Sequence, residues 1–143
     1  LGAAICASAL LVLRSPLLDE RPAGRAEASR AWEDYSPARL DELRTAGTPV
    51  FVNVTADWCI TCLANERVAL SSAAVLAAFR DRGIVYLKGD WTNSNPELTA
   101  LLQAHGRSGV PLYLYYPAAA GAPAMVLPQL LTPSIVLEAV GAR

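Results

Sequence analysis

The sequence predicts an α/β domain in which a mixed central sheet carries helices on both faces. Three observations lead there. The runs VFVNVT, IVYLK and LYLYY are nearly unbroken apolar, β-branched or aromatic stretches, the pattern of strands covered on both sides. Segments with helix-capping residues separate them, and strands alternating with helices pair in parallel through crossovers. A short turn of small residues joins LYLYY to AMVL, which is close enough for an antiparallel hairpin.

The elements follow in order. Ser36-Pro37 places an N-cap before a proline at the first helical position, and Thr45-Ala46-Gly47 stops that helix. Pro49 ends the connection to the strand Val50 to Thr55. Residues from Cys59 to about Leu70 lack Gly and Pro and predict a helix directly after that strand. Ser71-Ser72 caps a further helix with Val75, Leu76 and Phe79 facing inward, Arg80 and Arg82 in its last turn and Gly83 as its stop. Ile84 to Lys88 is the next strand. Asn95-Pro96-Glu97 opens a helix with Leu98, Leu101, Leu102 and His105 on one stripe, and Gly106 closes it. After Val110-Pro111 come the strands Leu112 to Tyr116 and Ala124 to Leu127, and Thr132-Pro133 caps a last helix running to Val140.

The residues before this block differ in kind. Leu1 to Leu13 is an uncharged apolar run, shorter than the roughly 20 residues a spanning helix needs, and is expected to be the end of a transmembrane helix, with Cys6 as a small apolar residue within it. Residues 14–35 mix Pro, Gly, Ala and both signs of charge without an apolar period and read as a tether. The expected organisation is therefore a membrane segment over 1–13, a linker over 14–35 and one domain over 36–143. Of the 143 residues 53% are hydrophobic and 17% charged, with a formal net charge of −1, which leaves no basic footprint for nucleic acid.

The chemistry concentrates in A-D-W-C-I-T-C-L, Ala56 to Leu63. A zinc site normally needs four ligands, and beyond this pair the chain offers only Cys6 and His105. A purely structural disulfide, or two buried thiols, is the second alternative. The position, where a buried strand hands over to a helix N-terminus, weighs toward a redox pair. Unsatisfied N–H groups and the positive end of the helix dipole stabilise a thiolate there, and the thiolate is the attacking species. Cys59 is the candidate nucleophile and Cys62 the resolving thiol.

VFVNVTADWCITCLANERVAL, the later GVPLYLYY and the order of elements resemble the thioredoxin superfamily. More narrowly they resemble the C-terminal thioredoxin-like domain of membrane-bound thiol:disulfide interchange proteins of the DsbD type. The resemblance covers roughly residues 36–143 and implies a three-layer sandwich, with the preceding apolar run matching the last helix of that family's membrane domain. It implies that Pro111 is a cis-proline beside the cysteines, that the backbone of Val110 pairs with an incoming substrate strand, and that Trp58 shields the pair and contacts partners. The only redox group it implies is the Cys59–Cys62 disulfide, with no further cofactor and no metal.

Departures from the family pattern shape the mechanism. Many thioredoxins carry an acidic residue six positions before the first cysteine, where this chain has Asn53, which cannot ionise to accept a proton. Glu66, four positions after Cys62 on the same helical face, is the substitute candidate, against a plain solvated carboxylate near Arg67. Asp57 is close enough in sequence to influence Cys59 or to serve as a loop or capping carboxylate. Leu63 and Leu112 stand where the family often has a basic residue and a threonine, and are expected to make the rim of the site more apolar. His105 reads as a helix-end residue, Trp91 as cover for the sheet edge and the tyrosines of LYLYY as sheet packing.

The function implied by this resemblance is thiol–disulfide exchange by a membrane-tethered domain. It would take electrons from its own membrane domain and pass them to periplasmic thiol-disulfide proteins, including those of cytochrome c maturation, on the outer side of a bacterial inner membrane. The arginines near the apolar run favour a cytoplasmic side by the positive-inside rule, but neighbouring acids weaken that signal and the resemblance outweighs it. The alternatives are a stand-alone anchored oxidoreductase and a non-catalytic binding or chaperone module of the same fold.

Overall fold

A computed structural model of the chain describes residues 30–141. The apolar run 1–13, Cys6 within it and most of the expected linker lie outside the described residues. Five strands form one sheet in the order β1-β3-β2-β4-β5. They are β1 (Glu33–Asp34), β2 (Val50–Thr55), β3 (Val85–Asp90), β4 (Leu112–Tyr116) and β5 (Met125–Val126). The helices are α1 (Pro37–Thr45), α2 (Ile60–Asn65, continued by a π-helical stretch Glu66–Leu70), α3 (Ala73–Asp81), α4 (Pro96–Ala104) and α5 (Pro133–Ala139).

Most capping expectations hold in detail. Ser36, Ser72, Asn95 and Thr132 each accept a backbone N–H from the first turn of the helix that follows. Gly83 and Gly106 take positive φ just past α3 and α4. His105 is the C-cap of α4, its Nδ1 3.0 Å from the Leu101 carbonyl oxygen. The helix expected from Cys59 to Leu70 is instead split. It widens at Glu66, whose carbonyl accepts from the N–H of Ser71 at 2.9 Å and from its hydroxyl at 2.7 Å. Wide turns of this kind are rare and gather at functional sites.

Two further expectations are corrected. Glu33 and Asp34, read as tether, form the edge strand β1, parallel to β3 with Asp34 opposite Lys88. Strand β4 pairs antiparallel with β2, although the α/β alternation suggested a parallel crossover, while β2 and β3 are parallel. Residues 105–111 carry the chain from α4 round to the far side of β2, so it enters β4 reversed. The expected β4–β5 hairpin is present.

All six residues of β2 are buried, with a separate apolar cluster on each face. Phe51 points to the side covered by α2, α3 and α5, where Phe79, Tyr86 and Tyr113 surround its ring at 5.2, 5.8 and 6.4 Å. Val50, Val52 and Val54 point to the side covered by α1 and α4, against Leu40, Leu87, Leu98 and Leu102. Each such side chain contributes about 1.5–3 kcal/mol by leaving water. Asn53, on the Phe51 side with 0% exposure, and Thr55 are the residues in β2 that apolar burial does not explain.

Candidate active site

Strand β2 ends at Thr55 and the chain turns through Ala56, Asp57 and Trp58 into α2. The turn is held from the β3 side. Trp91 donates its N–H to the Thr55 carbonyl at 2.8 Å, Asp57 donates its N–H to Thr92 Oγ1 at 2.9 Å, and the Trp58 indole donates to the Thr92 carbonyl at 3.2 Å. Thr92 is itself fixed, its N–H donating to Asp90 Oδ1 at 2.8 Å and its hydroxyl to the same oxygen. These bonds from the Thr92 hydroxyl and N–H hold the Asp90 carboxyl below the ordinary carboxylate range. Loops after parallel strands are where α/β sites collect, and DWT is such a loop.

Cys59 is the N-cap of α2. Its Sγ accepts the Cys62 N–H at 3.2 Å and is bonded to Cys62 Sγ, closing the disulfide with the two Cα atoms 5.2 Å apart. Cys59 keeps 8% of its surface exposed and Cys62 none. The asymmetry follows from helix geometry, since the cap residue sits at the open end and the residue three positions on is beneath it. Ala56 and Val110 pack against the pair. The Val110–Pro111 peptide bond is cis, and among the described residues neither the N–H nor the C=O of Val110 is hydrogen-bonded.

Asn53 and Glu66 come together on the Phe51 face. Asn53 Nδ2 donates to Glu66 Oε1 at 3.0 Å and to the Tyr86 hydroxyl oxygen at 3.0 Å. The other Glu66 oxygen receives the Lys88 ammonium at 2.9 Å, both side chains being largely covered. Glu66 is therefore no solvated carboxylate beside Arg67 but the meeting point of β2, β3 and the Cys62 helix. Burial, together with the Glu66 and Tyr113 charges, pushes the Tyr86 hydroxyl well above the usual tyrosine range, although the Asn53 bond opposes it. Asn53 Oδ1 and Thr55 Oγ1 are buried without a partner among the described residues.

The remaining predicted residues separate. Trp58 is 58% exposed and leans on Trp91, ring centroids 6.1 Å apart. Trp91 does not cover a lateral sheet edge, which β1 occupies; it lies over the strand ends and donates to Thr99 Oγ1 at 2.8 Å. The Asp57 side chain is exposed. Leu63 contributes to the rim at 43% exposure, but Leu112, at 1%, does not. As the first residue of β4 it alternates onto the Val54 side and joins the α1–α4 cluster. Sequence reasoning missed Thr92, Lys88, Tyr86 and Asn65. Asn65 Nδ2 donates to the Tyr113 hydroxyl oxygen at 2.9 Å and the Gln129 carbonyl at 2.6 Å, while its Oδ1 accepts the Leu131 N–H at 3.0 Å. Only the helical spacing of Asn65 from the cysteines hinted at it.

A disulfide capping a helix at the end of a central buried strand, facing a cis-proline, defines a thioredoxin-type redox centre, and the chain belongs to the thioredoxin-like family, which it matches over residues 31–118. Among curated proteins it is 36% identical over 102 residues to thiol:disulfide interchange protein DsbD 1 of Pseudomonas aeruginosa, covering 66% of this chain and 16% of that protein. It is 34% identical over 120 residues to DsbD of Klebsiella pneumoniae, covering 80% and 20%. The chain thus spans a fifth or less of these relatives. Among solved structures, the reduced DsbD C-terminal domain of Neisseria meningitidis superposes with TM-score 0.59 at 24% identity, covering 78% of this chain and all of that one. Chloroplastic thioredoxin z gives 0.61 at 28%, covering 77% and 91%. Within the family, the described residues form a DsbD-type thioredoxin-like domain, a thiol:disulfide oxidoreductase fold with its Cys59–Cys62 pair closed as a disulfide.

Proposed function

We propose that this domain relays electrons by thiol–disulfide exchange, with Cys59 as the exchanging sulfur and Cys62 as the resolving one. The observation that carries the reading is the unequal burial of the pair at the α2 N-terminus: only Cys59 has surface to offer an incoming sulfur. In the oxidised form a donor thiolate attacks Cys59 Sγ, the Cys59–Cys62 bond breaks, and a second donor thiolate releases the dithiol; two electrons and two protons enter. In the reduced form the Cys59 thiolate attacks an acceptor disulfide and expels one acceptor thiolate. Cys62 then loses its proton and attacks Cys59 Sγ, which reforms the internal disulfide and frees the second acceptor thiol. Glu66 is the candidate to assist the Cys62 proton, four positions along the same helix and tied to Asn53.

Val110 packs against the disulfide with its backbone groups unpaired among the described residues, and is suited to add a strand from a partner. Trp58, Ile60 and Leu63 are exposed apolar residues around the Cys59 end of α2, a surface suited to a dedicated protein partner. By similarity to DsbD proteins, the donor is a membrane domain of the same protein, the acceptors are periplasmic thiol-disulfide proteins, and the domain works on the periplasmic side of a bacterial inner membrane, with cytochrome c maturation among its outlets. No cofactor beyond the disulfide enters this reading.

Trapping tests it. The chain carrying Cys62→Ser, reduced and incubated with a periplasmic extract, is expected to accumulate mixed disulfides through Cys59 that dithiothreitol releases. A variant that forms none, or forms them equally when Cys59 is also replaced by Ser, contradicts the assignment.

A further inference from the structure

Lys88 is a junction between the active-site helix and the segment by which the chain enters the domain. On one side its Nζ holds Glu66 Oε2 at 2.9 Å. On the other, its Nζ lies 5.0 Å from the centre of the Trp32 ring, within cation–π range. The same residue anchors the entering backbone, since Asp34 pairs with Lys88 in the sheet and Tyr35 donates its N–H to the Lys88 carbonyl at 2.9 Å. Trp32, Lys88, Glu66, Leu70, Leu76 and Tyr86 together line an open cleft of about 250 Å³, so Trp32 forms part of the same wall as the ion pair.

We propose that Lys88 and Trp32 are positioning residues for the disulfide centre: Trp32 seats Lys88, and Lys88 holds the Glu66 carboxylate and offsets its charge one helical turn beyond Cys62. The inference rests on the proposed exchange chemistry at Cys59 and Cys62. An ion pair in open water has little effect on a neighbour, but this pair is largely covered, where charges act over several ångströms with less screening. Among the described residues, the charged and titratable groups facing Glu66 are Lys88 and Tyr86 from β3, Tyr113 from β4 and Arg30 at the cleft, while Arg67, the next residue along its own helix, is exposed. Lys88 is the cation bonded to the Glu66 carboxylate, with Asn53 as its neutral second partner. Loss of Lys88 leaves an uncompensated negative charge one helical turn from Cys62, which disfavours a thiolate. Because Trp32 belongs to the entering segment, displacing that segment weakens the same support.

The test uses the reduced 143-residue chain and the rate of Cys59 alkylation by iodoacetamide across pH. Lys88→Met is expected to slow alkylation at pH 7 about three- to tenfold and move the midpoint of the profile to higher pH. Lys88→Arg is expected to restore it, and Trp32→Ala to move it the same way by less, with Trp32→Phe close to the parent. In a Glu66→Gln background the Lys88→Met effect is expected to shrink, since the lysine acts through that carboxylate. A folded Lys88→Met with the parental profile overturns the proposal, as does an undiminished effect in the Glu66→Gln background. If Lys88→Met does not fold, an unchanged profile in folded Trp32→Ala overturns it equally. Insulin reduction by Cys59→Ser run alongside separates the levels: activity there defeats the exchange chemistry itself, whereas its absence with an unmoved Lys88→Met profile defeats only this inference.

Discussion

The Asn53 amide donates to Glu66 Oε1 at 3.0 Å, linking the central strand to the helix that carries both cysteines. A neutral donor thus occupies the strand position and the carboxylate comes from the helix. Asn53→Asp would remove the donor and bury a second carboxyl against Glu66. That introduced carboxyl has its folded pKa raised by burial and by like charge, so the stability it permits is present below the unfolded value of about 3.9 and lost as pH rises through the folded one. The variant is expected to be about 1–3 kcal/mol less stable than the parent at pH 8 and closer to it at pH 4, by urea unfolding. Equal penalties at both pH values contradict the placement.

Asn65 ties α2 to the loop before α5 through two hydrogen bonds and to Tyr113 of β4 through a third. Asn65→Ala leaves the Tyr113 hydroxyl, the Gln129 carbonyl and the Leu131 N–H without that partner. A loss of about 2–4 kcal/mol is expected from denaturant midpoints, because buried polar groups left unpaired cost more than the bond they made. A loss under about 0.5 kcal/mol, the level of an ordinary surface substitution, would show that the loop is held elsewhere.

Burial pushes the Tyr35 and Tyr113 hydroxyls up to about 12 and raises those of Tyr86 and Tyr116. Each is a raised folded pKa, so the stability it contributes is complete below the unfolded value near 10 and declines as pH rises from about 10 toward 12. Absorbance at 295 nm is expected to show these tyrosines ionising later in the native chain than in urea, with native structure failing over the same alkaline interval. Coincident native and unfolded titrations contradict it.

Legibility in the sequence followed the range of the forces. Caps and strands were readable because Ser36, Ser72, Asn95 and Thr132 act on the next turn and β2 declares itself by six consecutive buried residues. The Cys59–Cys62 pair was readable because its chemistry is local to one helix start. Glu33–Asp34 was missed since two charged residues carry no strand pattern, and their pairing depends on Lys88 more than fifty residues away. Leu112 was misplaced on the rim because its side depends on the antiparallel entry of β4, set by the loop over 105–111. Thr92, Lys88 and Asn65 act through partners distant in sequence, a relationship that no spacing rule exposes.

The most direct measurement is insulin disulfide reduction with dithiothreitol as electron source, followed by turbidity, for the parent chain, Cys59→Ser and Cys62→Ser. The parent is expected to accelerate precipitation, Cys59→Ser to match dithiothreitol alone, and Cys62→Ser to accelerate it less than the parent, because its mixed disulfide waits for dithiothreitol to release it. Acceleration by Cys59→Ser equal to that of the parent would contradict nucleophilic exchange at Cys59.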